Sequence, residues 1–185
     1  MKLALDSISY TGFFYRGGPL SLGEVILRAA KFGYDGVEFF GKRPHAFPLD
    51  IDKKARDNLS ELAKSNKIEI AAIGAMTDFS RSTHVLGQSA EKDLLYIKEL
   101  SALANDLGTE TIRIFAGWTG EWEPFPNRDE LGHSYYKSIG VSYCEQWNYC
   151  KKAIKEACKI ATDYGVTLAL QNHRPIMLDY RDVLD

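Results

Sequence analysis

At 185 residues the chain is long enough for one domain with a sizeable core, and its 45% hydrophobic content is ordinary for a globular protein. The formal net charge of −2, with no block of like charge, leaves no electrostatic footprint for nucleic acid or for an anionic membrane. No stretch approaches the ~20 apolar residues of a membrane span, Met1–Asp6 is interrupted too early for a signal peptide, and Cys144, Cys150 and Cys158 lack paired CxxC spacing, so they read as reduced thiols of a cytoplasmic protein.

Taken in chain order, helix, short turn and strand alternate. A first strand is expected over about Leu3–Ile8. Ser21 then caps a helix whose N3 residue is Glu24, a capping box. Leu22, Val25, Ile26 and Ala29 lie along one face of that helix, and Gly33 supplies the left-handed residue past its end. Val37–Phe40 follows as a strand. A second helix spans about Asp52–Ser65 with Leu59, Leu62 and Ala63 inward. Asn66 is expected to take the glycine's part before a strand over Ile68–Ile73. The third helix, about Ser89–Leu107, keeps apolar spacing from Leu94 to Leu107 and stops at Gly108 before Thr111–Phe115. The fourth, about Tyr143–Tyr164, turns Ala153, Ile154, Ala157 and Ala161 inward and stops at Gly165 before Val166–Leu170. Asp179–Leu184 starts a fifth.

This alternation is the signature of a parallel α/β fold in a single domain over residues 1–185. A doubly wound sheet could be complete at five strands, whereas an eight-stranded barrel needs ~250 residues. Ser7–Phe14 is no dinucleotide-binding loop, which weakens the doubly wound reading. Two long connections, Gly74–Gln88 and Gly117–Ser142, both follow strands, and the second carries Trp118, Trp122, Phe125, Tyr135 and Tyr136. Long loops at the carboxyl ends of strands and short turns at the other end are the pattern of a barrel enzyme.

The last strand begins as a continuous apolar run, as a strand buried on both faces does. It ends in Gln171, Asn172, His173 and Arg174, at the end of the strand where α/β folds carry their active sites. Glu38 lies between Val37 and Phe39. A carboxylate there is costly unless it is functional or paired, with Arg113 or Arg43 as partner. His45, in Gly41-Lys42-Arg43-Pro44-His45, falls at the same end, as a solvated loop residue or a functional one. Asp78 and His84 fall in the first long connection, where a turn role competes with a functional one. Arg113 alternates with Ile112 and Ile114, so inside a barrel it is a buried cation that requires a carboxylate. There is no GxSxG elbow and no HExxH pair, and the cysteines sit on a helix rather than at strand ends. What remains, Glu, His, Gln, Asn and His on successive strand ends, fits divalent-metal chemistry on sugars or polyols better than acyl or hydride transfer.

These residues carry a resemblance along the whole chain. Gly33-Tyr34-Asp35-Gly36-Val37-Glu38, Gly41-Lys42-Arg43-Pro44-His45, Asp78-Phe79-Ser80, Ile112-Arg113-Ile114-Phe115-Ala116-Gly117-Trp118 and Leu168-Ala169-Leu170-Gln171-Asn172-His173 resemble the xylose isomerase-like barrels of the sugar phosphate isomerase/epimerase superfamily. The resemblance implies a (β/α)8 TIM barrel of which the first five βα units are present, apparently truncated after the fifth strand. It implies a metal at the strand ends, Mn²⁺ first among Mg²⁺, Co²⁺ and Zn²⁺. The expected chemistry is isomerase or epimerase chemistry by proton removal next to a carbonyl. Under it His173, His45 and Glu38 are catalytic, while Asn172, Arg113, Trp118 and Asp78 bind substrate. Gln171 is the metal ligand, an amide where the superfamily usually has a glutamate. The expected partner is a small carbohydrate or polyol, with no nucleic acid or membrane and a possible homo-oligomer. A C-glycoside deglycosidase or a dehydratase/lyase on the same barrel is the enzymatic alternative. An apurinic endonuclease of the same fold is disfavoured by the charge balance, and a non-catalytic sugar-binding or subunit-contact barrel is the alternative outside enzymology.

Overall fold

The alternation becomes one parallel sheet backed by helices. The computed structural model describes residues 1–14, 16–80, 82–83, 87–88, 90–117, 142–173 and 176–184. In chain order the strands are β1 (Ala4–Asp6), β2 (Gly36–Phe40), β3 (Glu69–Gly74), β4 (Ser82–Thr83), β5 (Gly87–Gln88), β6 (Thr111–Phe115) and β7 (Thr167–Gln171). The α-helices are α1 (Leu22–Phe32), α2 (Lys53–Ser65), α3 (Glu91–Leu107), α4 (Tyr143–Thr162) and α5 (Tyr180–Leu184). The main sheet runs β1-β2-β3-β6-β7, every pair parallel, so chain order is sheet order. That is an α/β fold in the order of a partial barrel. The β4–β5 pair is a small antiparallel hairpin inside the first long connection, which the sequence alone gave as loop.

The helix ends follow local rules with two exceptions. Ser21 and Glu24 form the expected capping box, and Gly33 and Gly108 sit in the left-handed region at φ 77° and 75°. A second capping box, Ser142 with Glu145, starts α4. Asn66 does not take the left-handed position. Its own φ is −96°, its side chain donates to the Leu62 carbonyl, and the positive φ of 58° falls on Lys67. The amide group thus satisfies a helix-end carbonyl and the reversal moves one residue on. The fourth helix stops at Thr162, two residues short of expectation, while Gly165 still holds a φ of 70° before β7.

One face of the sheet meets the helices and is dry. Val37, Phe39, Ile73, Ile112 and Ile114 are fully buried there, against Val25, Ile26 and Ala29 of α1 and Ile97, Leu100, Leu103 and Ala104 of α3. At ~25 cal/mol per Å² of apolar surface, this layer is the main source of stability. The other face, which would line a barrel, carries the register pairs Asp6 with Glu38, Gly74 with Arg113 and Phe115 with Gln171. A register shift between Val37 and Glu38 adjusts β2 against β3 just before this row.

Candidate active site

The site is built at the carboxyl ends of the strands, on the face away from the helices. Arg113, on β6, reaches across β3 to Glu38 on β2. Its Nε donates to Glu38 Oε1 at 2.7 Å, and its Nη2 forms an ion pair with the same oxygen at 2.6 Å. β3 can be crossed because the residue in the way is Gly74. A Cβ there would fall on Arg113 Nη2 and within 2.5 Å of Glu38 Oε1. The glycine is present here for space rather than for backbone freedom. Asp6 at the end of β1 stands 3.6 Å from Arg113 Nη2, so one guanidinium faces two carboxylates.

The electrostatics of this row follow from burial. Removal from water pushes the Glu38 carboxyl above the ordinary carboxylate value; the Arg113 cation pulls it back and Asp6 adds repulsion. Both of these contacts from Arg113 fall on Oε1, so the second oxygen of Glu38 lies outside that pair. The guanidinium also lies 4.9 Å from the centre of the Phe115 ring. Phe115 also meets the half-buried His173 ring edge-on, at 5.0 Å between centres. Glu38, Arg113, Phe115 and His173 thus form one continuous row from β2 to the end of β7.

The remaining candidates divide. Gln171 pairs in register with Phe115, and Asn172 follows it; both are exposed. Asp78 is a turn-former: its Oδ1 accepts from the Ser80 amide at 3.2 Å and the Ser80 hydroxyl at 2.5 Å, against a bare Gly117. Its own amide donates to Asp93. Next to it Thr77 is fully buried, and its hydroxyl both donates to the Phe115 carbonyl and accepts from the Phe115 amide, continuing the β3–β6 ladder by side chain. His45 is not at an open mouth. It is 4% exposed, with Nδ1 3.0 Å from Ser7 Oγ and Nε2 3.0 Å from the Leu20 carbonyl, so both ring nitrogens already have partners. Trp118 and His84 lie outside the described residues.

Three participants escaped sequence reasoning: Asp6, Ser7 and Gly74. A carboxylate closing the first apolar strand was the legible signal for Asp6. Nothing local marked Gly74 as the crossing point. An apolar groove of about 430 Å³ between the β2–α2 connection and α3, with Phe47, Leu49, Leu95 and Tyr96 among its walls, contains none of the polar row.

For a metal ion, Gln171 at the end of β7 offers an amide oxygen, and His173, two residues past it, an imidazole. A hard divalent cation takes about six oxygen or nitrogen donors. Among the described residues no cluster of three or more His, Cys, Asp or Glu could hold one. Gln171 and His173 by themselves therefore fall short of the donor set such an ion requires. No helix among the described residues is long and apolar enough to cross a membrane.

Residues 26–183 match the family described as xylose isomerase-like TIM barrel. Fructoselysine 3-epimerase of Escherichia coli O157:H7 is 25% identical over 181 residues, covering 94% of this chain and 59% of that protein. Among solved structures, the probable 3-DHS dehydratase AsbF of Bacillus anthracis is 25% identical with a TM-score of 0.64, over 94% of this chain and 53% of its own. The IolI protein with a bound zinc atom has a TM-score of 0.65 at 18% identity, over 92% and 51%. Psicose 3-epimerases share the fold as well. The chain spans about half the length of these relatives.

Proposed function

This chain belongs to the xylose isomerase-like TIM barrel family, and on that premise we propose that its polar row is part of the active site of a sugar isomerase or epimerase. The reaction is proton removal from a carbon next to a carbonyl. The observation that carries this reading is the Glu38–Arg113 pair laid across Gly74 beside His173, at the strand ends of the barrel-lining face.

Epimerisation at such a carbon needs one group to take a proton and another to return it from the opposite side. Glu38 suits the first task. Burial raises its proton affinity, and Arg113 fixes one oxygen so that the other can face the substrate. His173 suits the second: it is half-buried, steadied by Phe115, and past the end of β7. Asn172 and Arg113 orient the substrate's oxygens, and the Gln171 amide oxygen would be a ligand of a divalent ion. Such an ion would supply polarisation of the substrate's oxygens. Because Arg113 already faces Asp6 and Glu38, its positive charge is taken up within the row. That favours an uncharged ketose or polyol over a sugar phosphate. A dehydratase reading uses the same proton removal followed by loss of a hydroxyl. The 25% identity to the probable dehydratase equals that to the epimerase and keeps it in play.

The test is isotope exchange with the full-length protein. An uncharged ketose in D₂O should gain deuterium next to its carbonyl, followed by NMR, with or without net epimerisation. Glu38→Gln and His173→Ala should each lower the exchange rate by about 10²-fold. Sugar binding without exchange or elimination, in a folded protein, would instead favour the non-catalytic sugar-binding barrel.

A further inference from the structure

We propose that His45 is a positioning residue: a neutral imidazole, protonated on Nε2, that clasps the carboxyl ends of β1 and β2 and thereby sets the spacing of Asp6 and Glu38. The hydrogen-bond partners fix the tautomer. The Leu20 carbonyl 3.0 Å from Nε2 can only accept, so Nε2 carries the hydrogen. Nδ1 of the neutral ring is then an acceptor, and the Ser7 hydroxyl donates to it at 3.0 Å. The same Ser7 oxygen accepts the Phe40 amide hydrogen at 2.8 Å. Phe40 N–H, Ser7 O–H, His45 and Leu20 C=O form a closed chain in which every donor has an acceptor.

This chain lies where the strand ladder gives out. The β1–β2 register ends at Asp6 opposite Glu38. Ser7 follows Asp6 directly, and Phe40 is the last residue of β2. Ser7 is fully buried and His45 nearly so, hence the bonds are not shared with water. Asp6 is itself turned by the 3₁₀ turn Ser7–Tyr10, whose Ile8 amide donates to its Oδ1. Through Ser7, the imidazole therefore acts on the residue after Asp6 and on Phe40, two residues past Glu38, beside the two carboxylates that face Arg113.

Acid should open the clasp. Burial holds His45 below its ordinary value of 6.5; the Leu20 and Tyr10 carbonyls and the Asp6 carboxylate oppose that shift without reversing it. A protonated ring would turn Nδ1 into a donor toward Ser7, and the serine hydrogen would lose its acceptor. The groups around the ring are Asp6 and Ser7 from β1 and its turn, the carbonyls of Tyr10 and Leu20 from the β1–α1 connection, and the Lys42 carbonyl, which accepts His45's own amide. Because the folded value lies below the unfolded one, this contribution to stability is complete above about pH 6.5. It is lost as pH falls from there through the folded value.

The experiment uses the full-length protein with ¹⁵N-labelled histidine and long-range ¹H–¹⁵N spectra, the His45 signals being assigned by their loss in His45→Gln. The expected pattern is the Nε2–H tautomer, still neutral when pH is lowered below 6.5. An Nδ1–H pattern, or protonation at the ordinary value, would overturn the proposal. Positioning is read at Glu38 by ¹³C titration of its carboxyl. Ser7→Ala and His45→Ala should each move its midpoint by about half a unit or more. His45→Gln, which can donate to Leu20 and accept from Ser7, should stay closer to wild type. An unmoved Glu38 titration in folded Ser7→Ala would refute the positioning role, even if His45→Ala failed to fold. None of these readouts depends on turnover.

Discussion

The two faces of the main sheet use the same strands for opposite purposes. On the helix side Val37, Phe39, Ile73, Ile112 and Ile114 are fully buried and apolar. On the barrel side the residues between them are Glu38, Gly74 and Arg113, charged or bare, and held by one ion pair rather than by close packing. The difference shows how a strand with period two divides its work. The dry face holds the fold, so the open face can carry charges that would be costly in a core. The open face keeps those charges partly buried because each is paired, and a buried pair fixes geometry more than it adds stability.

That division is open to test from either side. The largest effect is expected on the dry face. Phe39→Ala should cost about 3–5 kcal/mol of stability in denaturant unfolding, while the turnover of whatever remains folded stays near wild type. Parallel losses in stability and turnover per folded molecule would mean that the two faces are not separable. Next comes Glu38→Gln in the exchange assay, where the ~10²-fold loss of rate should come with a much smaller change in unfolding midpoint than Phe39→Ala produces. The same variant carries a pH signature. Glu38's folded value is raised, so the native chain holds that proton longer than the unfolded chain. The stability due to this group should fall as pH rises from about 4.5 through the folded value. Glu38→Gln should remove that slope, and an unchanged slope would assign it elsewhere.

Gly74→Ala separates space from packing. The atoms in its way are the ends of two long side chains. Stability should therefore drop by no more than about 1 kcal/mol, while the Glu38–Arg113 pair is pushed apart and exchange slows about tenfold. A large loss of stability with normal exchange would make Gly74 a packing residue. Gln171→Glu should tighten Mn²⁺ binding in the full-length protein by about tenfold in titration calorimetry, because a carboxylate is a better partner for a hard cation, and Gln171→Leu should weaken it. Equal affinities in all three proteins would remove Gln171 from the ligand set. The smallest effect belongs to Arg43→Ala. Its pair with Asp50 is short, at 2.6 Å, but exposed, and the unfolding midpoint should not move measurably.

Features that depend on near neighbours were legible in the sequence. The helix faces, the Ser21–Glu24 box, the glycine ends at Gly33 and Gly108 and the alternating strands follow rules spanning a few residues, and the structure keeps them. The sequence also required that Arg113, between two buried isoleucines, find a carboxylate. Tertiary structure alone decided which one. Arg43 was within reach of Glu38 in sequence but turned to Asp50, while Arg113 crossed 75 residues of chain to Glu38. That choice rests on β3 lying between β2 and β6, and on its residue at the crossing being a glycine. The enclosure of His45 was equally out of reach, because its partners Ser7 and Leu20 come from other strand ends and loops. Local rules set period and punctuation through backbone geometry. Contacts between distant residues are fixed only when sheet order brings the strand ends together, and this chain's candidate site consists of such contacts.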